Sequence, residues 1–140
     1  MDIVVSGSAI SVLQNTGEDG ELSFARTDIT TDGGFMHVAL ADMDGDQKPD
    51  IVAAKRASNG SGYVTVYRNL SQPGVFAFAA EQSFATGAEP KGIAVGDLDA
   101  DGKLDVAITT GVAAAGVPKR VSLFKNTSTP STVSFATGMD

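Results

Sequence analysis

The chain has no cysteine, so neither a disulfide nor a thiolate metal site holds it together. Tryptophan is also absent, and His37 is the single histidine, which disfavours a zinc centre. Long apolar runs are missing: the stretch around "GVAAAGV" falls far short of the roughly 18 residues a membrane-spanning helix needs. No basic start followed by an apolar run marks a leader, although a trimmed chain reads the same way. An excess of positive charge is missing too. The formal net charge is −7, which disfavours nucleic acid and anionic membrane as partners. Helical periodicity of useful length is absent throughout.

What remains is a chain of 140 residues, 42% apolar and 19% charged, which suits one globular domain with a real core. Its acidity is concentrated. Asp42, Asp44, Asp46 and Asp50 form one cluster, and Asp97, Asp99, Asp101 and Asp105 form another. Without these eight, 9 acidic residues face 10 basic ones. The charge therefore sits in two short segments on a nearly neutral remainder.

The segments are copies. "MHVALADMDGDQKPDIVAA" (36–54) aligns with "KGIAVGDLDADGKLDVAIT" (91–109). "ISVLQNTG" (10–17), "VTVYRNLS" (64–71) and "VSLFKNTS" (121–128) align through Asn15, Asn69 and Asn126, and a phenylalanine follows nine residues later at Phe24, Phe78 and Phe135. This is a three-fold repeat of about 50 residues, a period that points to propellers, solenoids or arrays. Each copy reads as four short strands. Met36 to Ala41 alternate with a period of two. Ile51-Val52 and Val106 to Ile108 open second strands, "VTVYR" and "VSLFK" give third ones, and the phenylalanine segments give fourth ones. Four antiparallel strands per unit is a β-propeller blade. The expected fold is all-β, a single domain over 1–140 divided as 2–35 (a partial blade), 36–90 and 91–140. Asp2-Ile3-Val4-Val5 aligns with Asp50-Ile51-Val52-Ala53, so the first blade is expected to lack its inner strand. Open blade edges of this kind predict self-association.

Within each cluster the spacing is D-x-D-x-D-x-x-x-D. Hard carboxylate oxygens in a tight loop suit Ca²⁺, which takes six to eight oxygen ligands; Mg²⁺ prefers a tighter octahedron with retained water. The candidate ligands are Asp42, Asp44, Asp46 and Asp50 in one loop and Asp97, Asp99, Asp101 and Asp105 in the other, for two Ca²⁺ sites. Lys48 and Lys103, at the seventh position, would offer backbone carbonyls while their ammonium groups point to solvent. An EF-hand is excluded, because its twelfth position is a glutamate between helices, whereas here it is Ala53 or Ile108 between strands.

"ALADMDGDQKPDIV" and "AVGDLDADGKLDVAI" resemble the calcium loop of FG-GAP/VCBS repeats, the blades of integrin-α-like propellers. The resemblance covers essentially the whole chain. It implies a loop between the first and second strands of each blade carrying one structural Ca²⁺, on a module for extracellular or cell-surface binding or adhesion, with a protein or glycan ligand. A structural spacer of a larger secreted protein, or a non-catalytic accessory part of a carbohydrate- or lipid-active enzyme, is the alternative. Two positions depart from the pattern. Gln47 stands where the second loop has Gly102, and Ala100 stands where the first has Gly45, which predicts a weakened site.

Catalytic constellations are not found. There is no G-x-S-x-G elbow, the lone His37 reads as structural, and "GVAAAGVPK" lacks the Lys-Ser/Thr ending of a phosphate loop. Glu18, Glu21, Glu81 and Glu89 fall near turns without a paired partner, so the protein is not expected to be an enzyme. Lys55, Arg56, Lys119 and Arg120 can gather as a basic rim patch or serve as ordinary hairpin charges. Asn59, Asn69 and Asn126 each open a glycosylation sequon.

Overall fold

The computed structural model describes residues 2–87, 89–111 and 119–136. Among these there is no helix, and ten strands form three antiparallel sheets. The first sheet contains β1 (Ile3–Ser6), β2 (Ile10–Asn15) and β3 (Phe24–Ile29), in that order. The second contains β4 (Gly34–Ala41), β5 (Asp50–Arg56), β6 (Gly62–Tyr67) and β7 (Gln82–Ala85). The third contains β8 (Pro90–Gly96), β9 (Asp105–Thr110) and β10 (Arg120–Phe124). Within each sheet the strands follow one another in chain order, each paired with its neighbour in sequence. Residues 112–118, within "TGVAAAGVPKR", and the closing 137–140 lie outside the described residues.

The sheets stack face to face, and β5 explains why. Its residues alternate between two cores. Ile51 and Ala53 join Ile10, Val12, Phe35 and Tyr67 between the first and second sheets. Val52 and Ala54 join Val64, Val66, Ile93, Val106, Ile108 and Phe124 between the second and third. All four β5 residues have no exposed surface. Burying a side chain such as Ile51 or Val52 contributes roughly 1.5–3 kcal/mol each, while the alanines let the neighbouring sheet approach. A strand buried on both faces loses the polar alternation of a half-exposed one and reads as a continuous apolar run.

The fourth strands differ from expectation. In the first sheet β3 does begin at Phe24, paired with Asn15. Phe78 and Phe135 instead form single bridges to Asn69 and Asn126, and the outer strand of the second sheet is β7, further along. The pairing registers give the reason. Asn15↔Phe24 and Ile10↔Ile29 belong to one unbroken ladder. Asn69↔Phe78 and Val66↔Gln82 differ in register by one residue, so an extra residue interrupts the second ladder.

A bulge also marks the start of each first strand, between Phe35 and His37 in β4 and between Pro90 and Ile93 in β8. These two strands face one another across the second core. His37 Nδ1 accepts the Ile93 amide at 3.0 Å, so the single histidine ties one sheet to the next. A second tie joins the second sheet to the connection between β3 and β4. Lys55 is buried and donates to Thr31 Oγ1 (2.9 Å) and Glu81 Oε1 (2.7 Å), with Asp32 at 3.2 Å. Tyr67 donates to the other Glu81 oxygen at 2.9 Å. Burial pushes the Glu81 carboxyl up, but hydrogen bonds from Lys55, Ser83 and Tyr67 outweigh it and hold the group at about 2. Glu81 thus has partners that its turn position did not suggest. The basic patch does not form around Lys55 either: Lys55 is spent in this network, and Arg56 lies 3.4 Å from Glu89.

Candidate metal centre

The acidic segments connect β4 to β5 and β8 to β9, the first and second strands of their sheets. Each loop is closed at its base by a strand pair, Ala41↔Asp50 in one and Gly96↔Asp105 in the other. A loop this short cannot satisfy its own amides with β-ladder bonds, so its carboxylates do so. Asp42 accepts from Gly45 (2.8 Å), Asp46 (3.1 Å) and Gln47 (2.8 Å). Asp97 accepts from Asp101 (3.2 Å) and Gly102 (3.0 Å). The curl places two residues per loop in the left-handed region: Gly45 (φ 77°) and Gln47 (φ 68°), then Ala100 (φ 62°) and Gly102 (φ 86°). Both loops keep one backbone path, although each carries a side chain at a position better suited to glycine.

The last aspartate of each loop is its anchor. Asp50 accepts the Met43 amide (3.0 Å) on one oxygen and the Asn69 amide (2.8 Å) on the other. Asp105 does the same with Leu98 (2.9 Å) and Asn126 (2.8 Å). Asp2 repeats half of this clamp, accepting from Asn15 at 2.9 Å. Burial pushes the Asp50 carboxyl up, against the pull of its two amide partners.

The folding of each loop brings three carboxylates together. One oxygen from each of Asp42, Asp44 and Asp50 lies within 4.8 Å of the others, and the same holds for Asp97, Asp99 and Asp105. These sets are all hard oxygen donors at a spacing a cation of calcium's size can bridge. Asp46 and Asp101 are not in the sets. Asp46 accepts the Lys48 amide and Asp101 the Lys103 amide, both at 2.9 Å. The lysine ammonium groups do not point to solvent as expected. Lys48 Nζ donates to the Ser71 carbonyl at 3.1 Å, and Lys103 Nζ to the Ser128 carbonyl at 2.7 Å, because the following hairpin brings a carbonyl within reach of the loop.

A cleft of about 460 Å³ separates the two loops, with Asp42, Asp44 and Gly45 on one wall, Gly102 and Lys103 on the other, and Asn126 between them. Asn126 is 1% exposed. Its amide donates to Met43 O (2.9 Å) in the first loop and Leu104 O (3.0 Å) in the second. This amide is committed inside the protein and closed to glycosylation, whereas Asn59 is exposed on the β5–β6 hairpin.

The family model for the FG-GAP-like repeat matches residues 1–53 and again 42–108. The chain belongs to the FG-GAP-like repeat family. Both matches end at the same place in the repeat, Ala53 and Ile108, each the twelfth residue counted from the first aspartate of its loop. The acidic loop is therefore a fixed landmark of the FG-GAP-like unit in this chain. No curated protein and no solved structure matches it.

Two residues beside these loops escaped the sequence reading. Arg68 Nε sits 2.6 Å from Asp44 Oδ2, with the Asp44 side chain fully buried. Lys125 Nζ contacts Asp99 and lies 3.0 Å from Asp101 Oδ2. Asp101 is held low, first by the Lys103 amide and then by Lys125, and the Lys125 ammonium is raised by Asp99 and Asp101. A signal was present: Gln14, Arg68 and Lys125 occupy one repeat position, directly before the conserved-in-repeat asparagine.

Proposed function

We propose that this chain is a calcium-binding, β-propeller-type FG-GAP module for extracellular binding or adhesion, in which the metal is structural. The observation that supports it is the duplicated carboxylate triad at one repeat position of a chain in this family. Asp42, Asp44 and Asp50, with Asp97, Asp99 and Asp105, would hold the ions. Asp46, Asp101 and the Lys48 and Lys103 carbonyls would complete the sets, as the resemblance implies. Bound Ca²⁺ supplies charge neutralisation: two ions change the formal charge from −7 to −3. In this reading the module has no catalysis of its own. Its ligand is a protein or glycan, and the open blade edges favour self-association.

Thermal unfolding tests the metal. A ligand that binds only the native state raises Tm by mass action, so Ca²⁺ should raise Tm and EGTA should lower it. Identical melts in both would end the calcium assignment. A spacer role is favoured instead if a glycan and protein array probed in Ca²⁺ returns no binding.

A further inference from the structure

We infer that Arg68 and Lys125 are built-in counter-cations that set the affinity and charge selectivity of the two acidic loops. This rests on the loops being cation sites, and it adds a control that the ligand pattern does not contain.

The placement of both residues is rigid and repeated. The carbonyl of Arg68 accepts the Ala79 amide at 2.9 Å, and the next amide, Asn69, donates to the anchoring Asp50. The carbonyl of Lys125 accepts the Ala136 amide at 2.9 Å, and Asn126 donates to Asp105. The backbone beside each cation is thus tied to the loop that the cation faces. In the first sheet Asn15 makes the same clamp to Asp2, but the residue before it is the neutral Gln14. Charge appears at this position in the two units that carry a described acidic loop.

The electrostatic consequence is calculable in form. Each loop carries four aspartates and one lysine, a formal charge of −3 that the contacting cation reduces to −2. It also occupies an oxygen of the third-position aspartate, a member of the triad. An entering ion is repelled by the cation. The repulsion scales with the ion's own charge. Removing the cation therefore strengthens binding of a trivalent ion more than that of a divalent one. If Ca²⁺ gains about tenfold, La³⁺ gains about thirtyfold, because the logarithm scales as three to two.

Calorimetric titration with Ca²⁺ and with La³⁺ tests this on the whole chain. The comparison is between wild type, Lys125→Met, Arg68→Met and Arg68→Lys. Lys125 is 43% exposed, so Lys125→Met is the variant least disturbing to the fold. The expected result is tighter binding at one site in each methionine variant, by about tenfold or more for Ca²⁺ and by a larger factor for La³⁺, with Arg68→Lys close to wild type. Wild-type binding with unchanged affinities in the variants would overturn the counter-cation role and leave the calcium reading standing. An equal gain for both ions would also overturn it, since a steric effect has no charge scaling. Silence in every protein would overturn both readings together.

Discussion

The side-chain amide of Asn126 donates to the carbonyl of Met43, 83 positions earlier in the chain, while its own oxygen accepts the amide of Ser128 at 2.8 Å. One buried side chain thus joins both acidic loops and closes its own turn. Asn126→Ala would leave the Met43 and Leu104 carbonyls short of a donor, at a cost of about 3 kcal/mol. Asn69 at the same repeat position donates only to Pro49 O among the described bonds and is partly exposed, so Asn69→Ala should cost about 1 kcal/mol. Urea unfolding measures both. Equal losses would show that the contact between the loops has no particular weight.

Gln47 and Ala100 adopt left-handed backbone in the positions where the partner loop has Gly102 and Gly45. A Cβ at either glycine meets nothing within 4 Å, so these positions are set by backbone conformation and not by space. Gln47→Gly and Ala100→Gly should each stabilise the protein by about 0.5–1 kcal/mol, the relief of the left-handed penalty less the added freedom of the unfolded chain. A lower Tm in both variants would contradict this.

Asp50 is fully buried, and both of its oxygens accept backbone amides. Asp50→Asn replaces one acceptor with a donor facing an N–H. The expected loss is about 2 kcal/mol in EGTA as well as in Ca²⁺, because the clamp works without a metal. Wild-type stability of this variant in EGTA would assign the residue to ion binding alone.

Glu81 is held at about 2, against an ordinary 4.5. The unfolded chain therefore takes up this proton at a higher pH than the native state. The contribution is complete above about pH 4.5 and is lost progressively as pH falls toward about 2. Glu81→Gln should be less stable than wild type at neutral pH, and the gap should narrow across that window. Denaturant midpoints at pH 7, 4 and 3 would show it; a constant gap would place the effect in packing.

Much of this was legible in the sequence because it is local. Alternation along β5 and β6, the turn residues, and the D-x-D-x-D-x-x-x-D spacing all act within a few positions, and repetition made each signal count more than once. The interruption before β7 was not legible, because an added residue in a ladder has no composition of its own. The orientation of Lys48 and Lys103 was misread because the accepting carbonyls, Ser71 and Ser128, arrive from 23 and 25 positions away.

The two loops show where the boundary lies. Sequence alone determined that they are copies, that strands flank them, and that their carboxylates can converge. Tertiary structure alone decided that they are not equally buried. The third unit's hairpin covers the first loop, and Ser131 donates its amide to Asp44 at 3.1 Å, so Asp44 is buried; Asp99, its counterpart, keeps a 39% exposed side chain. Identical spacing in two desolvation environments yields two different electrostatic sites, because the energy of a charge depends on what covers it as much as on its neighbours in the chain.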